Sequence, residues 1–396
     1  MTTFSVRFLG CKVSHVDAQE IRERLFADGH AELDDGADVA IVNTCCVTHE
    51  AVRKSRHAAS RAARTHRRVY VTGCGGSLAA DGFSGLPENV TVVARRSEET
   101  PDAVARDVGA IGCVRADFHL ERVRAFVKVQ DGCSFSCAFC VIPQVRGSSR
   151  SRPAEAVLRE IRRRVAQGHR EVVLTGINLG CYRDREAAYG LPRLVREAGS
   201  VPGLARLRLS SIESNHVNAE LGRALRETPT VARHLHVPLQ SGDDGVLRAM
   251  GRRYDASTYL RRLEPLADFN LTTDVIVGFP GEDEQAFGRT LGVVEAAGIT
   301  KAHVFPYSPR PGTVTAASDT VPRSAKRERG ERLREASRLA SLARWREKVG
   351  REDVVLVDRP NRGYGDDYSP WLVDGRVGEL VRVRGAEVTE EGIRAA

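Results

Sequence analysis

The chain has 396 residues, of which 41% are hydrophobic and 28% charged, and its formal net charge is +8. This composition is typical of a soluble globular protein with two or three domains. The N-terminus lacks a basic segment followed by a long apolar one, and no apolar run approaches about 18 residues, which excludes a secretory signal and a membrane span. We therefore expect a cytoplasmic protein whose nine cysteines are metal ligands, catalytic groups or packing residues rather than disulfides.

Residues 1–115 alternate between short apolar runs and helical patterns. The predicted strands are 4–10, 38–44 and 68–73, and the predicted helices are 16–29 and 49–66. Alternation of this kind indicates a parallel sheet with helices packed on its faces. We therefore predict an N-terminal parallel α/β sheet domain over 1–115.

Residues 116–335 continue the alternation, with a clear amphipathic helix predicted over 153–168. The six predicted strands are 125–131, 171–177, 206–213, 234–240, 272–279 and 302–308. Six strand–helix units are too few for a closed barrel of eight. A partial (β/α)6 barrel fits this region.

The C-terminal part has a different character. A long basic helix is predicted over 321–349, and short strands over 352–358, 369–375 and 378–388 follow it, interrupted by "RPNRGYGDD". Short strands with turn residues between them indicate a small β-barrel module, which we place at 336–396. The fold class of the whole chain is thus α/β with a small β module.

Positive charge is concentrated in three segments. Residues 51–68 hold seven Lys or Arg and no acid, residues 146–170 hold eight Arg, and residues 323–348 hold ten Lys or Arg. Each segment alone could be the solvated face of a helix. Together they favour a polyanionic partner, most plausibly nucleic acid.

Three cysteines in "DGCSFSCAFCVIP" follow the first predicted barrel strand. Cys133, Cys137 and Cys140 form a C-x3-C-x2-C pattern, and no fourth Cys or His lies nearby in the sequence. A zinc site usually has four ligands, whereas three thiolates can hold three irons of a [4Fe–4S] cluster and leave the fourth iron open. The pattern therefore favours an iron–sulfur cluster over zinc.

This motif resembles the signature of radical S-adenosylmethionine (SAM) enzymes, with Phe139 at the position of the family's aromatic residue. The resemblance implies that the open iron binds SAM and that its reductive cleavage yields a 5′-deoxyadenosyl radical. It also implies that Phe139 belongs to the cofactor site. The cofactor supplies the chemistry, and the barrel positions and shields it.

Cys11, Cys45 and Cys74 each stand at the end of a predicted strand, in "FLGC", "VNTCC" and "VTGC". The carboxyl ends of parallel strands share one edge of a sheet, so these three thiols can converge on a second [4Fe–4S] cluster. Buried free thiols are the alternative. Adjacent strand residues point in opposite directions, so only one of Cys45 and Cys46 can face this edge. The resemblance of "NTC" to a known family pattern implies that Cys45 is the ligand and Cys46 a packed neighbour.

Over essentially its whole length the chain resembles radical SAM methylthiotransferases, whose last module resembles the RNA-binding TRAM domain. The resemblance implies two [4Fe–4S] clusters, and two SAM molecules that serve as methyl donor and radical source. Phrases such as "GCKVSHVDAQ" and "HLHVPLQSGDDGVLRAM" resemble the branch that acts on N6-threonylcarbamoyladenosine at position 37 of tRNA. The implied partners are the tRNA anticodon stem-loop and a flavodoxin- or ferredoxin-like electron donor. We expect a monomer, and the sequence indicates no sulfur donor.

By the same resemblance, polar and glycine residues at the ends of the barrel strands are candidates for the SAM pocket. They are Gly176, Asn178, Glu213, Gln240, Asp274 and Gly278. Each could instead be structural, and Arg146 could face a cluster or the surface. The sequence departs from the family in "GCGGS" after Cys74 and in "SSIESNH". Both departures leave the cysteines intact, but they bear on which substrate the resemblance implies.

Two other functions are compatible with the sequence. A methylthiotransferase of the same build could act on isopentenyladenosine at position 37, on a protein residue or on a small metabolite. A non-catalytic RNA-binding protein could instead use the cysteines to hold zinc.

Overall fold

The computed structural model describes residues 2–78, 80–94, 99–109 and 123–396, and the chain divides into two units. The first unit contains the described residues up to 109 together with 131–149 and 308–317. The second contains 123–130, 150–307 and 318–396. The domain boundaries at 115 and 335 stay predictions, and Cys113 lies outside the described residues. No helix in the described ranges is both long and apolar enough to cross a membrane.

The N-terminal segment alternates strands and helices, as the sequence predicts. Its elements are β1 (Thr3–Phe8), α1 (Lys12–Ala27), β2 (Ala31–Glu32), β3 (Val39–Thr44), α2 (His49–Ala62), β4 (Arg68–Thr72), α3 (Gly73–Leu78), β5 (Val90–Val92) and α4 (Thr100–Val108). The helix α1 begins at Lys12, earlier than the predicted start at 16. Cys11 is therefore the residue immediately before the helix.

The five strands form a parallel sheet in the order β2-β1-β3-β4-β5. All six residues of the central strand β3 are buried, because helices cover both faces of the sheet. On one face Ile41 packs with Phe4 and Ile21, and on the other Val42 packs with Ala58 of α2. The predicted parallel α/β sheet is confirmed.

The central part of the chain contains the six predicted barrel strands and the helices that connect them. Its elements are β6 (Arg124–Lys128), β7 (Gln130–Asp131), α5 (Ile142–Arg146), β8 (Arg150–Ser151), α6 (Ala154–Ala166), β9 (Glu171–Thr175), β10 (Arg183–Asp184), β11 (Tyr189–Gly190), α7 (Leu191–Gly199), β12 (Arg206–Leu209), α8 (Ala219–Glu227), β13 (His234–His236), α9 (Asp244–Ala249), α10 (Ala256–Leu263), β14 (Asn270–Val277), α11 (Glu284–Ala296) and β15 (Ile299–Pro306).

These strands form a partial barrel in the second unit. The strands β6, β9 and β12 pair in parallel, as do β13, β14 and β15, and a bridge between Ser211 and His236 joins the two groups. Alternate strand residues such as Leu174, Leu235 and Val275 are fully buried in one apolar core with the surrounding helices. The other strand face carries polar residues, because the side chains of a strand alternate.

The last part of the chain is the helix α12 followed by a closed five-stranded barrel. Its elements are α12 (Arg323–Arg346), β16 (Glu352–Arg359), β17 (Arg362–Tyr364), β18 (Pro370–Leu372), β19 (Leu380–Val388) and β20 (Ile393–Ala395). The strand β17 lies within "RPNRGYGDD", which the sequence predicts to be an interruption between strands. A Cβ at Gly363 would collide with the carbonyl of Leu356 on β16, so this pairing requires a residue type that usually marks a turn.

The C-terminal barrel is anchored to the amino ends of the partial barrel's strands, within the second unit. Arg206 and Arg208 of β12 both bind the carboxylate of Glu171, the first residue of β9, at 3.3 and 2.9 Å. The same arginines donate to the carbonyls of Val354 and Asp366, at 2.5 and 3.2 Å. Burial raises the pKa of Glu171, but the charges of Arg208 and Arg206 outweigh it and hold this pKa below its usual range. The carboxyl ends of the strands are thus left for the functional groups.

Candidate functional site

The first unit brings Cys11, Cys45 and Cys74 to one edge of its sheet, as the sequence predicts. Cys11 precedes α1, Cys45 directly follows β3, and Cys74 is the second residue of α3, which follows β4 without a break. The strands β1, β3 and β4 are parallel neighbours, so their carboxyl ends lie side by side.

The three thiols are close enough to affect one another electrostatically. Burial and, to a smaller extent, the neighbouring Cys74 and Cys11 raise the pKa of the Cys45 thiol to about 11. Thiols that disfavour one another's ionisation are suited to binding a cationic centre, which displaces their protons. The geometry therefore fits a metal group with three thiolate ligands.

Cys46 is buried as expected, but it does not point away from the other thiols. Its side chain lies beside that of Cys74, in an apolar cluster with Val141 and Val145. The strand ends at Thr44, so the alternation of strand side chains no longer applies at the two cysteines. The interaction with Cys46 and the charge of Arg146 outweigh the effect of burial and lower the pKa of the Cys74 thiol to about 7.

Arg146 lies beside the sulfur of Cys74, which resolves the choice that the sequence left open for it. Its Nε donates to Cys74 Sγ at 3.0 Å, while Nη1 and Nη2 bind Asp131 and Asp17 at 3.0 and 2.6 Å. Arg146 is 5% exposed. The sequence gives only a weak signal for the two aspartates, since Asp17 follows Cys11 by six residues and Asp131 precedes Cys133 by two.

Asn43, in the "NTCC" segment, provides a test of whether this site suits an iron–sulfur cluster. The residue is buried, and neither polar atom of its side-chain amide has a hydrogen-bond partner in the described part of the chain. It lines a narrow cleft together with Cys74 and Arg146. Buried amides are rarely left unpaired, and the sulfur atoms of a cluster at Cys74 would accept a hydrogen bond from Nδ2. The residues present therefore fit such a cluster.

The second cysteine group, Cys133, Cys137 and Cys140, lies on a loop of the same unit. All three residues are half-buried, as is Phe139. The N–H of Cys140 donates to the carbonyl of Cys137 at 3.1 Å, and the N–H of Phe135 donates to Cys133 Sγ at 3.4 Å. A loop fixed by its own backbone bonds, with three half-buried thiols, suits an iron–sulfur cluster.

In the second unit, Asn178 and Gln240 have the strongest signs of a ligand-binding role among the predicted strand-end residues. Asn178 is buried, and no partner for its side-chain amide is found in the described ranges. Its backbone N–H donates to Gln130 Oε1 at 2.8 Å. Gln240 has a φ of 68°, a left-handed conformation that is strained for a residue with a side chain. Such strain concentrates at functional sites.

Glu213 and Asp274 are already engaged with cationic or titratable partners. Glu213 forms an ion pair with Arg252, and Asp274 Oδ1 lies 3.2 Å from His236 Nε2. The ligating atoms of His236, Asp274 and His303 lie within 4.8 Å of one another. The inner face of β13, β14 and β15 is therefore polar and hydrogen-bonding.

Gly176 and Gly278 make close approaches to protein atoms. A Cβ at Gly176 would lie 2.9 Å from Gln130 Oε1, and one at Gly278, where φ is 71°, would collide with the side chain of Lys326. Their role in cofactor binding stays a prediction.

The departure "GCGGS" has a steric reason in the first unit. A Cβ at Gly75 would lie 2.5 Å from Thr44 Oγ1, so α3 packs directly on the end of β3. In the other departure, "SSIESNH", His216 hydrogen-bonds Cys181 at 3.3 Å. The first departure therefore places a glycine where the backbone next to Cys74 approaches Thr44, and it removes none of the thiols.

Comparison with known proteins identifies the family. Residues 127–294 match the model of the radical SAM superfamily, and residues 3–94 match the uncharacterized protein family UPF0004. The threonylcarbamoyladenosine tRNA methylthiotransferase MtaB of Chlamydia pneumoniae is 35% identical over 413 residues, which cover 99% of this chain and 97% of that protein. The chain belongs to the radical SAM methylthiotransferase family. It is therefore a radical SAM enzyme, and its cofactors are SAM and [4Fe–4S] clusters.

Members of the family with different substrates are equally similar to this chain. MtaB of Thermotoga maritima is 34% identical, over 99% of this chain and 96% of that protein. The tRNA-2-methylthio-N(6)-dimethylallyladenosine synthase of Cereibacter sphaeroides is also 34% identical, over 96% of this chain and 94% of that protein. Sequence identity alone thus does not separate the two branches.

Solved structures with the same fold are more distant. The radical SAM methyltransferase TsrM of Kitasatospora setae, solved with cobalamin and a [4Fe–4S] cluster, matches with a TM-score of 0.57 at 14% identity, over 80% of this chain and 77% of that one. OxsB, a cobalamin-dependent SAM radical enzyme, matches with a TM-score of 0.52 at 10% identity, over 86% of this chain and 58% of that one. These similarities support the fold.

Proposed function

We propose that this family member converts N6-threonylcarbamoyladenosine at position 37 of tRNA into its 2-methylthio derivative, replacing C2–H by –SCH3. The observation that carries the proposal is the convergence of Cys11, Cys45 and Cys74 in the unit that also holds the C-x3-C-x2-C loop. Two separate groups of three thiols match a reaction that needs both a radical source and a sulfur source.

Each cysteine group has its own role in this proposal. Cys133, Cys137 and Cys140 hold the cluster to which SAM binds, and Cys11, Cys45 and Cys74 hold the cluster that carries the inserted sulfur. When bound, these clusters and SAM supply one-electron cleavage of the sulfonium, a transferable methyl group and the sulfur atom. The protein's own contribution is to orient these groups, to donate hydrogen bonds to them and to exclude water.

Residues at the strand ends of the second unit bind SAM in this proposal. The unpaired amide of Asn178 is available for the polar groups of the methionine moiety. Glu213 and Asp274 offer carboxylate oxygens to hydroxyl and amino groups, and their contacts with Arg252 and His236 keep them oriented. The other residues that the family resemblance assigns to the SAM site are Phe139, Gly176, Gln240 and Gly278.

The threonylcarbamoyl substrate is favoured by the polar inner face of the barrel. The threonylcarbamoyl group carries a carboxylate, a hydroxyl and a urea, whereas the dimethylallyl group is a hydrocarbon. His236, Asp274 and His303 give the inner face of β13–β15 hydrogen-bonding groups, and Asp274 and His303 are not buried. A site built for an apolar group would be lined by apolar side chains, because unpaired buried polar groups oppose binding.

A basic surface on α2 and the turn after it is available for the anticodon stem-loop. Arg53, Lys54, Arg61, Arg64 and Arg67 are exposed, and α2 begins four residues after Cys45. Exposed arginines of this kind contact phosphates and give salt-dependent affinity.

The closed C-terminal barrel, which resembles a TRAM domain, is the second RNA-binding element in this proposal. Because the proposed substrate is tRNA, we propose that the enzyme works in the cytoplasm. We also propose that it is a monomer and that it receives electrons from a flavodoxin- or ferredoxin-like protein.

The proposal is tested by nucleoside mass spectrometry of tRNA from a strain that lacks the gene. We expect the 2-methylthio derivative of threonylcarbamoyladenosine to disappear, to return with the wild-type gene and to stay absent with Cys74→Ala. Purified enzyme should modify tRNA with threonylcarbamoyladenosine and leave tRNA with dimethylallyladenosine unchanged. Persistence of the modified nucleoside in a strain with no other methylthiotransferase would contradict the substrate. Zinc in place of about eight irons per chain would contradict the two clusters.

A further inference from the structure

We infer that Arg146 is a positioning residue of the cluster at Cys11, Cys45 and Cys74, whose hydrogen bond to the Cys74 sulfur raises the reduction potential of that cluster. The inference rests on the proposed function only in assigning a cluster to these three cysteines. It adds a residue that belongs to neither cysteine motif and a property, the redox balance of one cluster, that the motifs do not specify.

The first argument is the geometry of the guanidinium group. All three of its nitrogens are used, Nε by Cys74 Sγ at 3.0 Å, Nη1 by Asp131 and Nη2 by Asp17. The planar group cannot rotate without losing at least one of these bonds, so the two carboxylates fix the N–H that points to the sulfur. Asp131 is itself fixed, because its Oδ1 accepts from the N–H of Gly132 at 2.7 Å.

The second argument is charge in a buried environment. The side chains of Arg146 and Asp17 are about 95% buried and that of Asp131 nearly 90%. Without the guanidinium group, the two carboxylates would lie near the Cys74 sulfur without the positive charge that Arg146 supplies there. Each electron added to a cluster increases its negative charge, so a nearby cation and an N–H donor to sulfur favour the reduced state. Loss of Arg146 should therefore make the cluster harder to reduce.

A role in folding alone would have a different signature. Arg146 links α1, through Asp17, to the residues just before the C-x3-C-x2-C loop, through Asp131, and so it also stabilises the first unit. A purely structural residue would change the free energy of unfolding and the iron content. It would leave unchanged the potential of those clusters that do form.

The experiment measures that potential directly in the full-length chain. Alanine replaces Cys133, Cys137 and Cys140, so that only the cluster at Cys11, Cys45 and Cys74 remains. The protein is then reconstituted anaerobically. A redox titration followed by electron paramagnetic resonance then gives the midpoint potential with Arg146 present and with Arg146→Gln. We expect Arg146→Gln to lower the equilibrium constant for reduction of the cluster about tenfold. This corresponds to a midpoint potential more negative by about 59 mV for one electron.

Two further variants serve as controls. Arg146→Lys keeps the charge but loses the planar fork, and we expect a negative shift smaller than that of Arg146→Gln. Arg22→Gln removes another buried arginine of the first unit, one that pairs with Glu32 at 2.7 Å, and we expect no shift. An unchanged midpoint in Arg146→Gln, or an equal shift in Arg22→Gln, overturns the inference.

A second measurement keeps the test decisive if Arg146→Gln takes up no iron. The chain that retains Arg146 is labelled with 15N-arginine, and hyperfine spectroscopy of the reduced cluster looks for a guanidinium nitrogen. We expect a 15N coupling that disappears in Arg146→Lys, and the absence of any arginine coupling overturns the inference. If the chain with Arg146 and the three alanines holds no cluster at all, the proposed function fails instead, so the two failures are distinguishable.

Discussion

Replacing Glu171 with glutamine tests how the C-terminal barrel is held against the partial barrel. The carboxylate is 1% exposed and lies between the guanidinium groups of Arg206 and Arg208, which are themselves buried. Glutamine has nearly the same shape, so the change removes charge without leaving a cavity. Arg208 would then lose its counter-ion, and Arg206 would keep the more exposed Asp366 at 3.5 Å. Removing one partner of a buried ion pair typically costs about 3–5 kcal/mol. We therefore expect the free energy of unfolding of the second unit to fall by about this amount.

Denaturant unfolding of the full-length protein in reducing buffer measures this loss, and a matched substitution provides the control. Glu155 of α6 pairs with Arg159 and Arg162 on an exposed helix face, so Glu155→Gln should change the free energy of unfolding by less than about 1 kcal/mol. A loss of less than about 1 kcal/mol for Glu171→Gln would refute the reasoning. It would mean that the carbonyls of the C-terminal barrel and the carboxylate of Asp366 stabilise the arginines without Glu171.

The effect of Glu171→Gln on the free energy of unfolding should also depend on pH. The folded-state pKa of Glu171 is lowered, because the arginine charges outweigh the effect of burial. Its contribution to stability is therefore fully present above the unfolded-state pKa of about 4.3, and it is lost as the pH falls through the folded-state pKa. The stability difference between wild type and Glu171→Gln should be constant from pH 7 to about pH 5 and should shrink below about pH 4. A difference that grows on acidification would contradict this sign.

The remaining predictions concern the cysteines and the basic surface. Cys137→Ala should abolish reductive SAM cleavage, whereas Cys74→Ala should retain most of the cleavage and lose sulfur insertion, as measured by 5′-deoxyadenosine and modified-nucleoside yields. Equal loss of cleavage in the two variants would contradict separate roles. Cys45→Ala should lower the iron content by about four atoms per chain and Cys46→Ala should retain it, because only Cys45 is proposed as a ligand. Arg61→Glu should weaken tRNA binding and reduce the slope of its salt dependence by about one, with SAM cleavage unchanged, and an unaltered slope would remove this residue from the interface.

The strands and the cysteine groups could be predicted because their signals are local. The strands β1, β3 and β4 are short apolar runs next to helical patterns, and Cys11, Cys45 and Cys74 mark their carboxyl ends. The strands β2 and β5, of two and three residues, are too short to give such a signal. Topology then brings the ends together with no further information. The strand β17 was missed for a physical reason, since Gly363 is needed for the close approach to Leu356 and looks like a turn residue in the sequence.

The surroundings of the cysteines could not be predicted, because they depend on contacts between distant parts of the chain. Asp17 and Asp131 look like ordinary polar residues until Arg146, from a later loop, lies between them. Asn43 stands in a buried strand, and only its unpaired amide beside Cys74 distinguishes it from an asparagine bound to backbone. Such roles depend on burial and on the absence of other partners, which a linear sequence does not record.

Both groups of cysteines belong to one packed unit, and this has a consequence for the chemistry. Val141 and Val145, which follow the C-x3-C-x2-C loop, pack against Cys46 and Cys74, and Arg146 adds its polar contacts from the same short helix. A radical and a transferable sulfur must meet the same carbon atom, so small changes in their separation have large effects on rate. The helix α5 follows the C-x3-C-x2-C loop in the chain and contacts Cys74 through Val145 and Arg146. Substitutions in α5 should therefore impair sulfur insertion more than either SAM cleavage or sulfur loading measured alone.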